Sequence, residues 1–262
     1  DKVEPLSLDE AYLDVTDCSQ HNGSATLIAR EIKQAIKDRL NLVASAGVSY
    51  NKFLAKIASD MDKPDGLYVI RPEQAATFIR SLPIRKFFGV GKVTEGKMHR
   101  HNIFTGADLG RYDEVKLCQL FGKSGNYYYQ IARGIDNRPV RTDRKRKSIG
   151  KENTFSEDLT DINTINDHFD RLAEQVANIM LKRGITARTI TIKIKYHDFS
   201  QITRSITPPQ LVINGASLQA ALPGLIKKTE LGNRPCRLLG VSVSNFVDPP
   251  KKRFGQALLF EE

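Results

Sequence analysis

The first 70 residues alternate between helical and strand-like patterns of apolar side chains. Over 24–40 the apolar residues recur every four positions, which predicts an amphipathic helix that begins after Ser24. A buried strand is predicted at 42–48. A second helix is predicted at 51–62, ended by the turn residues Lys-Pro-Asp-Gly, and a short strand at 67–70. Strands that alternate with helices in this way predict a sheet covered by helices.

Helical patterns continue from 72 to about 136, in short pieces separated by glycines. Within 83–103, the run Phe88-Gly89-Val90-Gly91-Lys92 predicts a helix-hairpin-helix. Its glycines permit a tight turn, and the backbone N–H groups can bind a phosphate at the start of the second helix. A weaker copy follows at 121–125. Any tight hairpin of two helices would use a similar turn, so the motif alone leaves both interpretations open.

The last hundred residues have the pattern of a sheet with helices on one side. An amphipathic helix is predicted at 163–183, and strict alternation at 187–197 predicts a strand with its isoleucines toward a core. Thr191, Lys193 and Lys195 face outward in that strand. Other elements are predicted near 147–155, at 200–206 with Arg204 exposed, at 215–229 and at 236–246. The order β-α-β-β-α-β predicts one open sheet with a basic outer face.

Charge and composition narrow the classes of function. The 262 residues carry a net charge of +10, and the excess lies in residues 138–254, with 21 Lys and Arg against 11 Asp and Glu. Residues 1–137 carry 19 against 17. Such a basic segment is typical of a nucleic-acid-binding unit. No apolar run is long enough to span a membrane, and Cys18, Cys118 and Cys236 offer no disulfide or metal spacing, which favours the cytoplasm.

Asp9 and Glu10 are adjacent carboxylates within the strand-like run 6–16. Neighbouring side chains of a flat strand point to opposite faces, so these two converge only if the chain bends there. Converging carboxylates repel each other unless a cation lies between them, and hard divalent ions such as Mg²⁺ take such oxygen ligands. The pair therefore indicates either a metal site for phosphoryl transfer or an ordinary acidic turn at the surface.

Several segments together resemble the Y-family DNA polymerases of the bacterial DNA polymerase IV type. The segments are Ser7-Leu8-Asp9-Glu10-Ala11-Tyr12-Leu13-Asp14, the run 49–66 from Ser49-Tyr50-Asn51-Lys52 to Lys63-Pro64-Asp65-Gly66, Gly89-Val90-Gly91-Lys92, Arg146-Lys147-Ser148-Ile149-Gly150 with Thr154-Phe155, and 187–207. They resemble, in order, two palm motifs, the thumb hairpin, and the beginning and central strands of the little-finger domain. The second palm motif is highly specific, and the resemblance covers nearly the whole chain.

The resemblance implies an α+β, multidomain fold. Its parts would be a partial palm at 1–70 (a mixed sheet with helices) that carries the catalytic carboxylates, a helical thumb with the helix-hairpin-helix at 71–137, a basic linker at 138–147, a β-α-β-β-α-β little-finger domain at 148–247 and a tail at 248–262. The family has a further strand with a metal-binding Asp, and the fingers, ahead of these parts. We therefore expect the chain to be the C-terminal part of such a polymerase and to be inactive alone.

The implied activity is template-directed, error-prone DNA synthesis past lesions, as part of DNA repair. The implied partners are primer-template DNA and deoxynucleoside triphosphates, and the enzyme would be a monomer that uses two Mg²⁺ ions. Asp9 would bridge both ions, Glu10 would hold the ion at the primer hydroxyl, and Lys63 would reach the β- and γ-phosphates. For Lys56 an ordinary surface lysine is an equally good interpretation.

The resemblance and the charge pattern together indicate residues that bind DNA. The thumb turn would bind phosphates of one strand through its backbone, and the linker and little finger would follow phosphates without reading bases. These residues are Gly89, Gly91, Lys92, Arg144, Arg146, Lys147, Lys193, Lys195 and Arg204. Two positions depart from the family pattern: Phe88, where the thumb usually has Pro, and Gly96 in the second thumb helix.

The tail contains a Gln-x-x-Leu-Phe pattern that resembles the sliding-clamp-binding peptide of bacterial polymerases. Gln256, Leu258, Leu259 and Phe260 would bind the clamp, with the apolar residues as anchors in a groove. A terminal strand that packs on its own domain is the alternative. For the chain as a whole, the competing hypothesis is a non-catalytic DNA-binding module tethered to a clamp.

Overall fold

The structure, a computed structural model, describes residues 2–143 and 145–247. The chain divides into two compact units, Asp1–Arg144 and Lys145–Glu262, here called unit 1 and unit 2. Unit 1 begins with an antiparallel hairpin of β1 (Lys2–Pro5) and β2 (Ala11–Asp14). Then follow α1 (Ala25–Leu40), β3 (Ala46–Val48), α2 (Lys52–Ala58) and β4 (Leu67–Val69), and β3 pairs with β4 in parallel.

Local side-chain caps and one glycine fix the helices of this part. Ser24 accepts a hydrogen bond from the Leu27 N–H at the start of α1, as predicted, and Asn51 caps α2 in the same way. Helix α2 lies so close to β3 that a Cβ at Gly47 would come within 2.1 Å of the Ala55 carbonyl oxygen. Gly47 therefore permits the close approach that holds α2 on the strand.

Short helices form the rest of unit 1 and share one core with α2. They are α3 (Pro72–Ser81), α4 (Lys92–His99), α5 (Gly106–Gly110), α6 (Glu114–Phe121) and α7 (Ser124–Ile131). The core includes Phe53 of α2, Ile79 of α3 and Ile131 of α7, all buried. This core contains residues from both sides of position 70, the predicted boundary between palm and thumb. The division of the chain into five parts remains a prediction.

Unit 2 contains, in its described part, a four-stranded sheet with the order β5-β8-β6-β7. The strands are β5 (Ser148–Leu159), β6 (Thr186–Tyr196), β7 (Gln201–Ile206) and β8 (Cys236–Val247). Helix α8 (Ile162–Arg183) buries Phe169, Leu172 and Val176 against the sheet. The short helices α9 (Gly215–Gln219) and α10 (Leu222–Ile226) precede β8. The two units together confirm the mixed α+β class.

Three predicted elements differ from the observed ones. The strand expected at 42–48 is limited to β3, and Leu42 and Val43 before it are exposed. The helix expected at 51–62 ends at Ala58. The helix expected at 215–229 is divided in two, because Pro223, which has no N–H to donate, lies in the first turn of α10. None of the helices in the described residues has the length and apolarity that crossing a membrane requires.

Candidate active site

Asp9 and Glu10 lie in the turn between β1 and β2, where the strand-like run bends. The backbone N–H groups of Leu6 and Ser7 donate to the Glu10 carbonyl oxygen at 2.8 and 3.2 Å. Ser7 Oγ donates to Asp9 Oδ1 at 2.6 Å, and this bond lowers the pKa of Asp9. The turn therefore presents an exposed, ionised carboxylate beside the half-buried side chain of Glu10.

A line of alternating charges runs from Glu10 to the last turn of α2 and the turn that follows this helix. Lys56 Nζ lies 3.0 Å from Glu10 Oε1 and 3.4 Å from Asp60 Oδ2, and Lys63 Nζ lies 2.6 Å from Asp60 Oδ1. Burial works against the charge of Lys56, but the bond to Glu10 and the charge of Asp60 raise its pKa. Only 17% of this side chain is exposed. Lys56 is thus a cation held between Glu10 and Asp60, and Lys63 is joined to this line of charges through Asp60.

A second ion pair joins the hairpin to the start of α2. Lys52 Nζ lies 2.6 Å from Glu4 Oε2 and 4.8 Å from the ring centre of Tyr12. Tyr12 lies opposite Glu4 in the pairing of β1 with β2, so the two side chains are on the same face of the hairpin. Burial raises the pKa of Tyr12 to about 12, and its hydroxyl is, within the described residues, a buried side-chain group without a hydrogen-bond partner. The ion pairs at Lys52 and Lys56 hold the hairpin against α2.

The two carboxylates have the chemistry to hold a hard divalent cation. Both supply anionic oxygens, and the bond from Ser7 orients Asp9 and lowers the pKa of this carboxyl. In the part of the chain that the structure describes, no three Asp, Glu, His or Cys side chains are grouped so as to hold a metal ion. Asp9 and Glu10 would therefore hold an ion together with oxygens from other sources, such as water and substrate phosphates, as is usual for Mg²⁺.

The glycine turn of the predicted helix-hairpin-helix lies at the start of α4. Gly89 has a φ of +89°, which favours glycine, and Gly91 immediately precedes the first helical residue, Lys92. The Tyr127 hydroxyl donates to the Phe88 carbonyl oxygen at 3.2 Å. The turn that contains Phe88 is thus fixed from α7, through a backbone group that any residue at this position supplies.

The sheet of unit 2 separates three basic residues that were predicted to act together. Lys193 and Lys195 lie on the outer face, and Lys193 Nζ is 2.8 Å from Glu152 Oε2. Arg204 lies opposite the fully buried Ile192 in the β6–β7 pairing, so it is on the helix-covered face. Its Nε donates to the Lys228 carbonyl oxygen at 2.9 Å. The prediction that Arg204 shares a surface with the two lysines is therefore wrong.

The other predicted residues belong to the basic linker, which would bind DNA, and to the tail, which would bind a clamp. Arg146 and Lys147 are exposed. Arg144 and the clamp-binding residues Gln256, Leu258, Leu259 and Phe260 lie outside the described residues.

A buried carboxylate that the sequence analysis missed fixes the last segment of unit 1 to α2. Asp136 Oδ2 accepts a hydrogen bond from the Phe53 N–H at 2.9 Å, and Arg138 donates to both Asp136 oxygens at 2.7 Å. Only 2% of the Asp136 side chain is exposed. Further bonds join Lys52 Nζ to the Pro139 carbonyl oxygen and the Arg141 N–H to Glu4. The predicted linker therefore begins in a segment that is bonded to the elements around the carboxylates.

Comparisons with families of known proteins match three parts of the chain. The impB/mucB/samB family matches residues 1–60, and its C-terminal domain matches residues 146–257. The HHH motif of the IMS family matches residues 72–103. These ranges include the turn with Asp9 and Glu10, the glycine turn and the sheet of unit 2.

Individual relatives match over almost the whole chain. DNA polymerase IV of Alkalilimnicola ehrlichii is 53% identical over 98% of this chain and 72% of the relative. DNA polymerase IV of Halorhodospira halophila is 46% identical over 96% of this chain and 70% of the relative.

Two solved structures are also similar. A Y-family DNA polymerase chimera, Dbh-Dpo4(243-245)-Dbh, matches with a TM-score of 0.82 at 28% identity, over 95% of this chain and 72% of that one. An insertion ternary complex of Dbh DNA polymerase matches over the same shares, with a TM-score of 0.60 and 28% identity.

Proposed function

Because this chain belongs to the Y-family DNA polymerases of the DNA polymerase IV type, which are DNA-directed DNA polymerases, we propose that Asp9 and Glu10 are its catalytic carboxylates. The reaction would be attack of a primer 3′-hydroxyl on the α-phosphate of a deoxynucleoside triphosphate, which forms the phosphodiester bond, breaks the bond between the α- and β-phosphates and releases pyrophosphate. One observation carries the proposal: the two carboxylates share a tight turn and are followed by Lys56, Asp60 and Lys63 in one line of charges. Anionic oxygens beside ammonium groups suit a metal-bound triphosphate.

Y-family polymerases use divalent metal ions, and for this chain we propose two Mg²⁺ ions. When bound, they would lower the pKa of the primer hydroxyl and stabilise charge on the leaving oxygen. Asp9 and Glu10 are the residues of this chain that would hold them. Ser7 would orient Asp9 through its hydrogen bond, which also lowers the pKa of this carboxyl.

Lys63 is the residue that we propose for the β- and γ-phosphates of the nucleotide. Its ammonium group is bonded to Asp60, and 52% of its side chain is exposed, so it can exchange a carboxylate for a phosphate without unfolding the turn. Charge-assisted bonds to phosphate oxygens are strong, which favours the exchange. Asp60 would then keep its contact with Lys56.

We also propose that synthesis continues past damaged template bases, because the family resemblance implies an open active site. The polymerase that contains this sequence should extend a primer both on an undamaged template and past an abasic site. Gel-resolved primer extension on the two templates measures both activities, and an Asp9→Asn preparation controls for contaminating polymerases. Extension on the undamaged template with arrest at the abasic site would contradict lesion bypass. A lack of extension on both templates would contradict the polymerase activity.

Primer-template DNA would be held in part by the outer face of the unit 2 sheet. Lys193 and Lys195 lie on this face, and exposed Arg146 and Lys147 lie just before β5. Lysine ammonium groups bind backbone phosphates as point charges and carry no sequence information. We therefore propose that this surface binds duplex DNA with little sequence preference.

Changing Lys193 and Lys195 to Ala should flatten the log–log dependence of DNA affinity on salt by up to about 2, roughly one for each lost phosphate contact. Arg204→Ala is the control, because it removes one positive charge from the opposite face of the same sheet and should show no share of the effect. We expect this control to leave the slope unchanged. Fluorescence anisotropy of a labelled duplex at several salt concentrations gives the slopes. Equal slopes for the wild type and the double variant would show that these lysines do not contact DNA phosphates.

The second candidate function, a non-catalytic DNA-binding module tethered to a clamp, receives no support from the comparisons. The family match over residues 1–60 includes the turn with Asp9 and Glu10, and the relatives are named as polymerases. A bacterial sliding clamp as a partner of the polymerase stays a proposal. It rests on the sequence of residues 256–260 alone, because they lie outside the described residues.

A further inference from the structure

Glu10 already has a cation beside it in the structure. Lys56 Nζ lies 3.0 Å from Glu10 Oε1, the distance of a direct hydrogen-bonded ion pair. Asp9, its neighbour in the sequence, is exposed and is bonded instead to the Ser7 hydroxyl. The adjacent carboxylates thus differ: Glu10 is neutralised by the protein itself, whereas Asp9 faces solvent as an anion.

Lys56 is held so that it can leave Glu10 without leaving the site. Its ammonium group lies 3.4 Å from Asp60 Oδ2 on the other side, one helical turn further along the chain. The lysine side chain is largely buried, so it has few other positions to adopt. A small movement of Nζ away from Glu10 would therefore keep and shorten the ion pair with Asp60.

We propose that Lys56 is a positioning residue that occupies Glu10 in place of a divalent cation until the nucleotide binds. The proposal rests on the proposed function, in which Glu10 is a metal ligand. An ammonium group and a divalent ion repel each other and compete for the same carboxylate, so Lys56 lowers the affinity of Asp9 and Glu10 for free metal. A triphosphate brings several negative charges to the site, and these offset the repulsion. The site would thus favour metal that arrives with nucleotide over metal alone.

The test is the affinity of the chain of residues 1–262 for Mn²⁺ without nucleotide, measured from the electron paramagnetic resonance signal of free Mn²⁺. Lys56→Met should bind Mn²⁺ about five- to tenfold more tightly, since one nearby positive charge is lost. Lys56→Arg, which keeps the charge, should stay within about twofold of the wild type. A lysine with only a structural role would give weaker binding, or no change, when it is replaced.

Lys33→Met is the matched control. Lys33 also lies 3.0 Å from a carboxylate, that of Asp65, and 15% of its side chain is exposed, close to the 17% of Lys56. Its removal should leave Mn²⁺ affinity unchanged. Should Lys56→Met lose its native circular dichroism spectrum, Lys56→Gln removes the same charge and keeps a polar group.

Unchanged or weaker Mn²⁺ binding by the folded Lys56 variant would overturn the proposal. The gain in Mn²⁺ affinity of Lys56→Met should disappear when Glu10→Gln is added. A gain that persists in this double variant would also overturn the proposal. Glu10→Gln alone tests the proposed function separately, through the rate of nucleotide incorporation by the polymerase that contains this sequence. Incorporation at the wild-type rate would show that Glu10 does not hold a catalytic metal ion, whatever Lys56 does to Mn²⁺ affinity.

Discussion

Replacing Asp9 by Asn is expected to lower the rate of nucleotide incorporation by the order of a thousandfold, and Glu10→Gln should act in the same way. Both changes keep the shape of the side chain and remove the negative charge that would hold metal ions. The hydrogen bond from Ser7 keeps the pKa of Asp9 low, so the wild-type carboxylate is charged at neutral pH. Single-turnover incorporation on a primer-template with Mg²⁺, by the polymerase that contains this sequence, measures the loss.

Asp14→Asn is the control for this effect, because Asp14 is on the same hairpin at the far end of β2. It accepts a hydrogen bond from the Thr16 hydroxyl and pairs with Lys2, so its contacts are local. The Asp14 variant should keep activity within a few-fold, and all three variants should keep DNA affinity within a few-fold. Incorporation by both Asp9→Asn and Glu10→Gln at near the wild-type rate would remove these carboxylates from the active site.

The elements with strong local periodicity could be predicted from the sequence. The four-residue spacing over 24–40 and the cap at Ser24 predicted α1, and both are properties of a single helix. Alternation over 187–197 predicted the buried face of β6, where Ile190, Ile192 and Ile194 are fully buried. In each case the residues that decide the structure are neighbours in the sequence.

The face of Arg204 could be predicted only in part from the sequence of β7. Arg204 points to the same side of β7 as Ile202 and Ile206, two positions before and after it. Thr203 and Ser205 point to the other side. The register with β6 then places Arg204 beside the buried Ile192. Alternation within one short strand identifies two faces, and only the partner strand shows which face is covered.

The contacts that organise the candidate site could not be predicted from local pattern. Asp9 and Glu10 were found because they are adjacent, but the partner of Glu10, Lys56, is 46 positions away. Asp136 and the Phe53 N–H that it binds are 83 positions apart. A single carboxylate in a loop has no periodicity, so its burial depends on packing that the sequence pattern does not show.

Asp136→Asn should lower the free energy of unfolding of unit 1 by about 2 to 3 kcal/mol. The change weakens the bonds from Arg138 and from the Phe53 N–H at the first turn of α2, and it leaves the guanidinium without its charged partner. Losing one partner of a fully buried pair costs about 3 to 5 kcal/mol, and the effect here should be smaller because 43% of the Arg138 side chain is exposed. Native-state hydrogen exchange measures the change on peptides from the unit that carries the substitution.

The effect of Asp136→Asn should also depend on pH in a defined direction. Burial by itself would raise the pKa of Asp136, but the bond and charge of Arg138 and the bond from the Phe53 N–H lower it overall. The stabilisation is therefore full above the pKa of the unfolded carboxyl, about 4, and is lost as the pH falls through the lower pKa of the folded state. The difference between wild type and variant should be largest near pH 7 and should shrink in acid.

Asp198→Asn is the matched control, because Asp198 pairs with Arg234 at 2.6 Å in unit 2 but is 46% exposed, and its loss should have a much smaller effect. Equal effects of the two substitutions, or a difference at Asp136 that does not change with pH, would show that the buried charge of Asp136 does not stabilise unit 1.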